Sequence, residues 1–361
     1  MNSLFELLQI SVGTREAFSQ IPDSLQAWRS LLDTVAEHGL LGVTFPTIGK
    51  LKEQGLLTKK VYLPWGLAAD EIALKNKQQR EAVADLHQRF RGDGFRCCLL
   101  KGQASGAYYP DPLRRQCGDI DLWLEGDRKK MMDYLRPRYS VHKTRYIHCD
   151  VKMLKDFQVE VHFTPSWMFA PVSNRRLQRW FAAQADAQFS HFDATLGCAT
   201  PTVAFNAVYM LLHIYRHLLE EGIGLRQLMD YYYLLQHLTV EERENVLQDL
   251  RHLGLYRFAG AVMYVLREVF GMEEERMLCP PNARRGALLL EAILESGNFG
   301  HADPLFAGKA RTEGILAHGW RKIKRNLRFL RLCPSEVCWM PFFVTWQYFW
   351  RRKNGYLYKG R

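Results

Sequence analysis

The chain has 361 residues, 47% of them hydrophobic and 24% charged, which is ordinary globular composition and excludes a disordered or fibrous protein. Its formal charge is +11. It favours either a polyanionic partner, such as nucleotide phosphate, nucleic acid or an anionic surface, or simply a lysine- and arginine-rich solvated face. The eight cysteines show no zinc-finger spacing, so they read as reduced, buried thiols of a cytoplasmic protein.

The N-terminal stretch lacks a basic region and a small-residue cleavage site, so it reads as an amphipathic helix and not a signal peptide. Ser3 and Glu6 have the spacing of a capping box. In "DSLQAWRSLLDTVAEHGLLG", Leu25, Trp28, Leu32 and Val35 form one helical stripe. "AADEIALKNKQQREAVADLHQRFRGDG" predicts a longer amphipathic helix, stopped at Gly92 and Gly94.

Near residue 91 the pattern changes to short apolar runs with a period of two. "FRCCLL", "DIDLWL" and "FQVEVHF" are strand candidates, and "KKMMDYLRPRY" is a short helix between the last two. After Pro165 the period returns to 3.6 in four further segments with short loops. The expected fold class is therefore α+β. A small mixed sheet with helices over 91–165 is flanked by an N-terminal helical region over 1–90 and a C-terminal helical domain over 166–361.

Strand alternation puts Asp119 and Asp121 on one face, with Ile120, Leu122 and Leu124 on the other. Neighbouring carboxylates repel unless a cation lies between them. Mg²⁺ accepts one or two carboxylates together with substrate phosphate oxygens. Glu160, on the polar face of the third strand candidate, completes a three-carboxylate set suited to two-metal phosphoryl or nucleotidyl transfer. Lys101-Gly102 supplies the complementary half: glycine lets backbone approach a phosphate, and the lysine adds positive charge. Arg114 and Arg115 lie within reach of a triphosphate.

The joint pattern "LLKGQASGAYYPDPLRRQCGDIDLWL" with "VEVHF" resembles the bacterial uncharacterised nucleotidyltransferase family, within the DNA polymerase β-type nucleotidyltransferase superfamily. "HIYRHLLEEGIGLRQLMDYYYLL" is similar to the same family, and the specific motifs cover about 95–235. The resemblance implies a nucleotidyltransferase-like fold and transfer of a nucleoside monophosphate from an NTP. Asp119, Asp121 and Glu160 would be catalytic and hold two Mg²⁺ ions, and Lys101 with Gly102 would meet the phosphates. Gln103 stands where the wider superfamily has Gly or Ser. That departure motivates the alternative of a catalytically silent nucleotide-binding or interaction protein on the same scaffold.

Other residues leave alternatives open. His162 either orients substrate or satisfies a backbone carbonyl. His213 and His217 have helical i, i+4 spacing that suits zinc, but no third ligand is visible, so they read as core residues or as pocket residues facing phosphate. Arg226 and Asp230 share that spacing, as in a plain intrahelical pair. The resemblance implies that Arg226 lines the pocket, held by Asp230. The acceptor, whether small molecule, protein or RNA, is not specified. Over 320–352, Arg321, Lys322, Lys324, Arg325, Arg328 and Arg331 accompany an apolar stripe of Trp320, Ile323, Leu327 and Leu330, followed by an aromatic run. The segment suits peripheral contact with an anionic membrane or single-stranded nucleic acid, or internal packing of the aromatics.

Overall fold

The computed structural model describes residues 2–296 and 315–356, so Met1, 297–314 and 357–361 of the expected helical regions lie outside the described residues. The chain opens with α1 (Asn2–Val12), α2 (Leu25–Glu37), α3 (Leu41–Glu53) and α4 (Lys59–Gly92). Ser3 sits inside α1, and Glu6 does not fold back to cap it. Glu6 instead accepts from the Ser19 backbone at 3.2 Å and pairs with Arg15 at 3.0 Å, tying down the following loop. On α2, Ser24 caps the first turn at 3.1 Å and the buried stripe is Trp28, Leu31 and Val35, with Leu25 and Leu32 at its margin. The long helix starts well before Ala68 and runs through Pro64. Val61, Trp65 and Ala69 continue its buried face there, and that burial outweighs the proline penalty.

Seven strands form one mixed sheet in the order β3-β4-β5-β2-β1-β7-β6. In chain order they are β1 (Cys97–Leu99), β2 (Ile120–Leu124), β3 (Ser140–Thr144), β4 (His148–Lys152), β5 (Val159–His162), β6 (Phe192–Asp193) and β7 (Cys198–Ala199). The helices α5 (Gln103–Gly106), α6 (Arg128–Leu135) and α7 (Pro171–Ser190) lie between them. β2 runs parallel to β5 and antiparallel to β1. β7 pairs with β1 across the other edge, so the sheet draws on residues well past 165.

Alternation sorts the two faces of the sheet. Cys97, Leu99, Ile120, Leu122, Val159 and Val161 pack with Val83, Leu86 and Phe90 of α4 and Met131 and Leu135 of α6. The opposite face carries Cys98 and Trp123; Trp123 meets Phe189 at 4.6 Å between ring centroids. Asp121, Glu160 and His162 share that second face.

The remaining chain is helical: α8 (Val203–Glu220), α9 (Leu225–Gln236), α10 (Val240–His252), α11 (Tyr256–Phe270), α12 (Ala283–Ser296), α13 (Ile315–Leu327) and α14 (Pro334–Lys353). One core runs from Leu7 and Leu8 of α1 to Val262 and Leu266 of α11, so the two flanking helical regions share a single interior. Thr14 Oγ1 donates to the Phe270 carbonyl at 2.6 Å across that junction.

The basic C-terminal segment is only partly a solvated face. Arg325 and Asn326 are buried and each donate to the Leu219 carbonyl at 2.7 Å, closing the C-terminus of α8. Glu336 accepts from the Phe169 and Ala170 amides at 2.5 and 3.1 Å, at the start of α7. Phe343 and Trp346 pack on Tyr146, while Trp339, Phe342 and Phe349 are exposed. Among the described residues no helix is long and apolar enough to cross a membrane.

Candidate active site

The cleft is built on the polar face of the sheet, at the ends of β1, β2 and β5. After β1, the Leu100 amide donates to the Asp121 carbonyl at 3.0 Å. Gly102 then adopts φ +61°, a left-handed conformation that strains any side chain. Its missing Cβ would sit 3.4 Å from the Asp119 carbonyl oxygen, so the turn packs directly against the aspartate strand. Gln103 faces away from the cleft. Its Nε2 donates to Asn76 Oδ1 and Gln79 Oε1 of α4, both at 2.9 Å, and its Oε1 accepts from Arg80 at 3.0 Å.

On the strand face, Asp121 is in register with Glu160, and Trp123 with His162. Lys101 Nζ lies 2.7 Å from Asp121 Oδ1, and His162 Nε2 lies 3.0 Å from the same oxygen and 3.5 Å from Glu160 Oε2. Burial alone would raise the carboxyls of Asp121 and Glu160. For Asp121, Lys101 and the His162 hydrogen bond outweigh it; for Glu160, His162, His148 and Lys101 do so. Both therefore stay below the usual carboxylate range. Burial disfavours the Lys101 ammonium, yet Asp121, Tyr209 and Glu160 hold it charged.

Asp119 differs. It is exposed on its open side at the cleft mouth but backed by protein. Desolvation, then repulsion from Asp121 and Glu160, push it up to about 6. At Asp119, repulsion from the other two carboxylates exceeds the attraction of Lys101.

The far wall comes from the helices. Tyr209, His213, Arg216 and His217 of α8 and Arg226 and Asp230 of α9 line the cleft. The rings of His213 and His217 stand 4.2 Å apart. Burial keeps both imidazoles neutral, His217 down at about 4 and His213 well below its ordinary value. Arg216 lies over the Trp167 ring, 3.1 Å from its centroid, and pairs with Glu220 at 2.6 Å. A carboxylate cluster facing fixed cations across a cleft suits a phosphate-bearing substrate accompanied by a divalent cation.

The family model described as "Uncharacterised nucleotidyltransferase" matches residues 24–271. The chain belongs to that family. No curated protein matches it. Among solved structures, an antigenic nucleotidyltransferase-like protein from Paracoccidioides brasiliensis is similar at 14% identity. The match covers 49% of this chain and 92% of that one, with a TM-score of 0.28.

In this nucleotidyltransferase-family chain, Lys101, Gly102, Asp119, Asp121, Glu160, His162, His213 and Arg226 all line one cleft. Arg115 also borders it, but its guanidinium serves another purpose. Nε and Nη2 donate to the two oxygens of Asp230, each at 2.7 Å, and Tyr109 adds a third bond at 2.6 Å. Asp230 is thus bound by Arg115, whereas the sequence suggested Arg226 as its partner. Arg226 donates to the Gln116 carbonyl at 2.6 Å and so braces the loop before Asp119. Arg114 turns towards the N-terminal helices, pairing with Asp70 at 3.1 Å and lying over Phe45. Gly42 matters there: a Cβ would stand 2.1 Å from the Arg114 carbonyl oxygen.

Sequence reasoning missed the residues that hold the loop before Asp119. Asn76 donates to the carbonyls of Leu113 and Arg115 at 2.6 and 2.7 Å, and Gln79 to that of Gly118 at 2.7 Å. The only available signal was a pair of amides that α4 buries among charged residues. His148 on β4 was missed as well. It enters the site because β4 pairs with β5 in a register that sets His148 opposite His162.

Proposed function

We propose that the chain moves a nucleoside monophosphate from an NTP to a hydroxyl or phosphate of an acceptor, with Mg²⁺ as the metal, in the manner of DNA polymerase β-type nucleotidyltransferases. The observation that carries this reading is the register pairing of Asp121 with Glu160 beside Lys101, with Asp119 at the cleft mouth. Its carboxyl is raised first by desolvation and then by repulsion from Asp121 and Glu160; a hard divalent cation would relieve that repulsion, so Asp119, Asp121 and Glu160 fit the metal. When bound, two such ions lower the pKa of the attacking hydroxyl and stabilise the pyrophosphate leaving group.

The chain's own residues do the rest. Lys101 holds a phosphate oxygen at the turn, where Gly102 lets backbone approach. His162 fixes the Asp121 carboxylate. His213 and Arg226 line the phosphate wall, and the Arg115–Asp230 pair fixes the loop that presents Asp119. The free cysteines are in keeping with a reducing compartment such as a bacterial cytoplasm.

The test is transfer from α-labelled NTPs to protein, RNA or small-molecule fractions. The parent should label one fraction with Mg²⁺ present, and Asp119→Ala and Glu160→Gln should not. Equal labelling by all three proteins would overturn the proposal. A second reading, a silent nucleotide binder, draws support from the 2.7 Å Lys101–Asp121 contact, which neutralises a carboxylate that a metal needs. It expects nucleotide binding without label transfer. Exposed Trp320, Phe342 and Phe349 support a peripheral contact of 320–352 with anionic membrane, which sedimentation with phosphatidylserine vesicles tests against neutral ones.

A further inference from the structure

Beside the carboxylates lies a second donor set of different chemistry. His148 Nδ1 is 3.3 Å from Glu160 Oε2, and His162 Nε2 is 3.5 Å from that same oxygen. Among the described residues, His148, Glu160 and His162 are the one group of three whose donor atoms all lie within 4.8 Å of one another. Bond lengths of about 2.0–2.2 Å separate neighbouring ligands of a tetrahedral ion by about 3.3–3.6 Å, so two measured edges match that geometry. Asp121 Oδ1, 3.0 Å from His162 Nε2, lies outside this group and is held by Lys101 at 2.7 Å.

The site is built and buried. His148 is 8% exposed and His162 2%, and both rings border the cleft by which an ion would enter. His148 Nδ1 is shielded from solvent and makes no hydrogen bond among the described residues, although it faces the Glu160 carboxylate. A buried imidazole nitrogen aimed at a carboxylate but geometrically unfit to bond it is unfavourable unless something lies between them. The opposite nitrogen, Nε2, faces Asp150 Oδ1 at 3.7 Å. At that distance Asp150 is a charged neighbour of the ring and not a hydrogen-bond partner.

We propose that His148, Glu160 and His162 bind a borderline divalent transition metal of the Zn²⁺ class in preference to Mg²⁺, with the fourth position open to water. Two imidazoles select such an ion, whereas Mg²⁺ takes oxygen donors and keeps its waters. The site stands whether or not the chain transfers nucleotides, because it is read from donor geometry alone; only Glu160 is shared with the proposed Mg²⁺ carboxylates.

The test needs no nucleotide and no activity. Full-length protein freed of metal by chelator dialysis is titrated with Co²⁺ and followed by its visible d–d spectrum. The expected result is saturable bands at a single equivalent, abolished by Zn²⁺ and unaffected by a large excess of Mg²⁺. His148→Asn should weaken Co²⁺ binding by about a hundredfold. His148→Cys, which restores a ligand, should retain binding with a shifted spectrum, so a folding defect in one variant does not leave the question open. Absence of the bands, their displacement by Mg²⁺, or Co²⁺ affinity unchanged in folded His148→Asn would overturn the proposal.

Discussion

Asp121 and Asp230 are both buried, both face the same cleft and both sit beside a cation, yet they are built differently. Asp230 is closed: Arg115 bonds its two oxygens at 2.7 Å each and Tyr109 adds a bond at 2.6 Å. Asp121 is open: Lys101 and His162 share a single oxygen, and Asp119 and Glu160 crowd it with like charge. A saturated pair holds structure, whereas a carboxylate crowded by like charge, with a single lysine on one oxygen, is the kind found at functional sites. The contrast separates the latch of this cleft from its chemistry.

The largest expected effect tests the latch. Arg115→Ala strands the Asp230 carboxylate in the interior and should cost about 3–5 kcal/mol, read from the denaturation midpoint. The double variant Arg115→Met/Asp230→Leu should recover much of that loss, because removing both partners leaves no uncompensated charge. Asp121→Asn should do the reverse. Label transfer falls on the order of 10²–10³-fold, while the denaturation midpoint moves little. If Arg115→Ala left stability intact, or Asp121→Asn unfolded the protein, the distinction between the two aspartates would be lost.

A third prediction lies outside the cleft and isolates burial from pairing. His38 is held down at about 4 by burial, and its Nδ1 accepts from the Leu225 amide at 3.3 Å. Its stabilising contribution is complete above its unfolded value near 6.5. It is lost as pH falls towards 4, because the unfolded state takes up the proton first; the loss is on the order of 3 kcal/mol. His38→Asn keeps an acceptor at that place, so its melting temperature should fall less steeply between pH 6.5 and 4 than the parent's. The smallest effect is expected at Gln103→Ala, which leaves Asn76, Gln79 and Arg80 without a common partner. A cost of about 1–3 kcal/mol, together with a raised KM for nucleotide, would show that the amide network positions the turn.

Where the sequence carried periodicity, the fold was legible. Phe157, Val159, Val161 and Phe163 alternate so regularly that β5 and its polar face with Glu160 and His162 followed from spacing alone. The helices from α8 to α11 followed from their apolar stripes. The β3–β4 hairpin was not legible, since "SVHKT" presents a mostly exposed, polar surface with no alternation to read. Strands β6 and β7 are two residues each, too short for any pattern. Pro64 concealed the first turns of α4 because local propensity points one way and the burial of Trp65 the other.

Within the site, Lys101, Gly102, Asp119, Asp121 and Glu160 were legible because a turn and two alternating strands fix them locally. Arg115 with Asp230, and His148 with Glu160, were not. Each pairing depends on how distant elements dock or on strand register, and neither leaves a mark in the chain nearby.

The central claim is that the Asp119–Asp121–Glu160 face binds a metal–nucleotide complex. Its most direct test is a thermal-shift titration of each NTP, with and without Mg²⁺, on the parent and on Asp119→Ala/Asp121→Ala. A nucleotide present at a hundredfold excess over its dissociation constant adds about 2.7 kcal/mol to a protein it binds only when folded. A Mg²⁺-dependent rise in melting temperature is expected for at least one nucleotide, absent from the double variant. A rise of equal size in the variant, or none with any nucleotide in the folded parent, would contradict the claim.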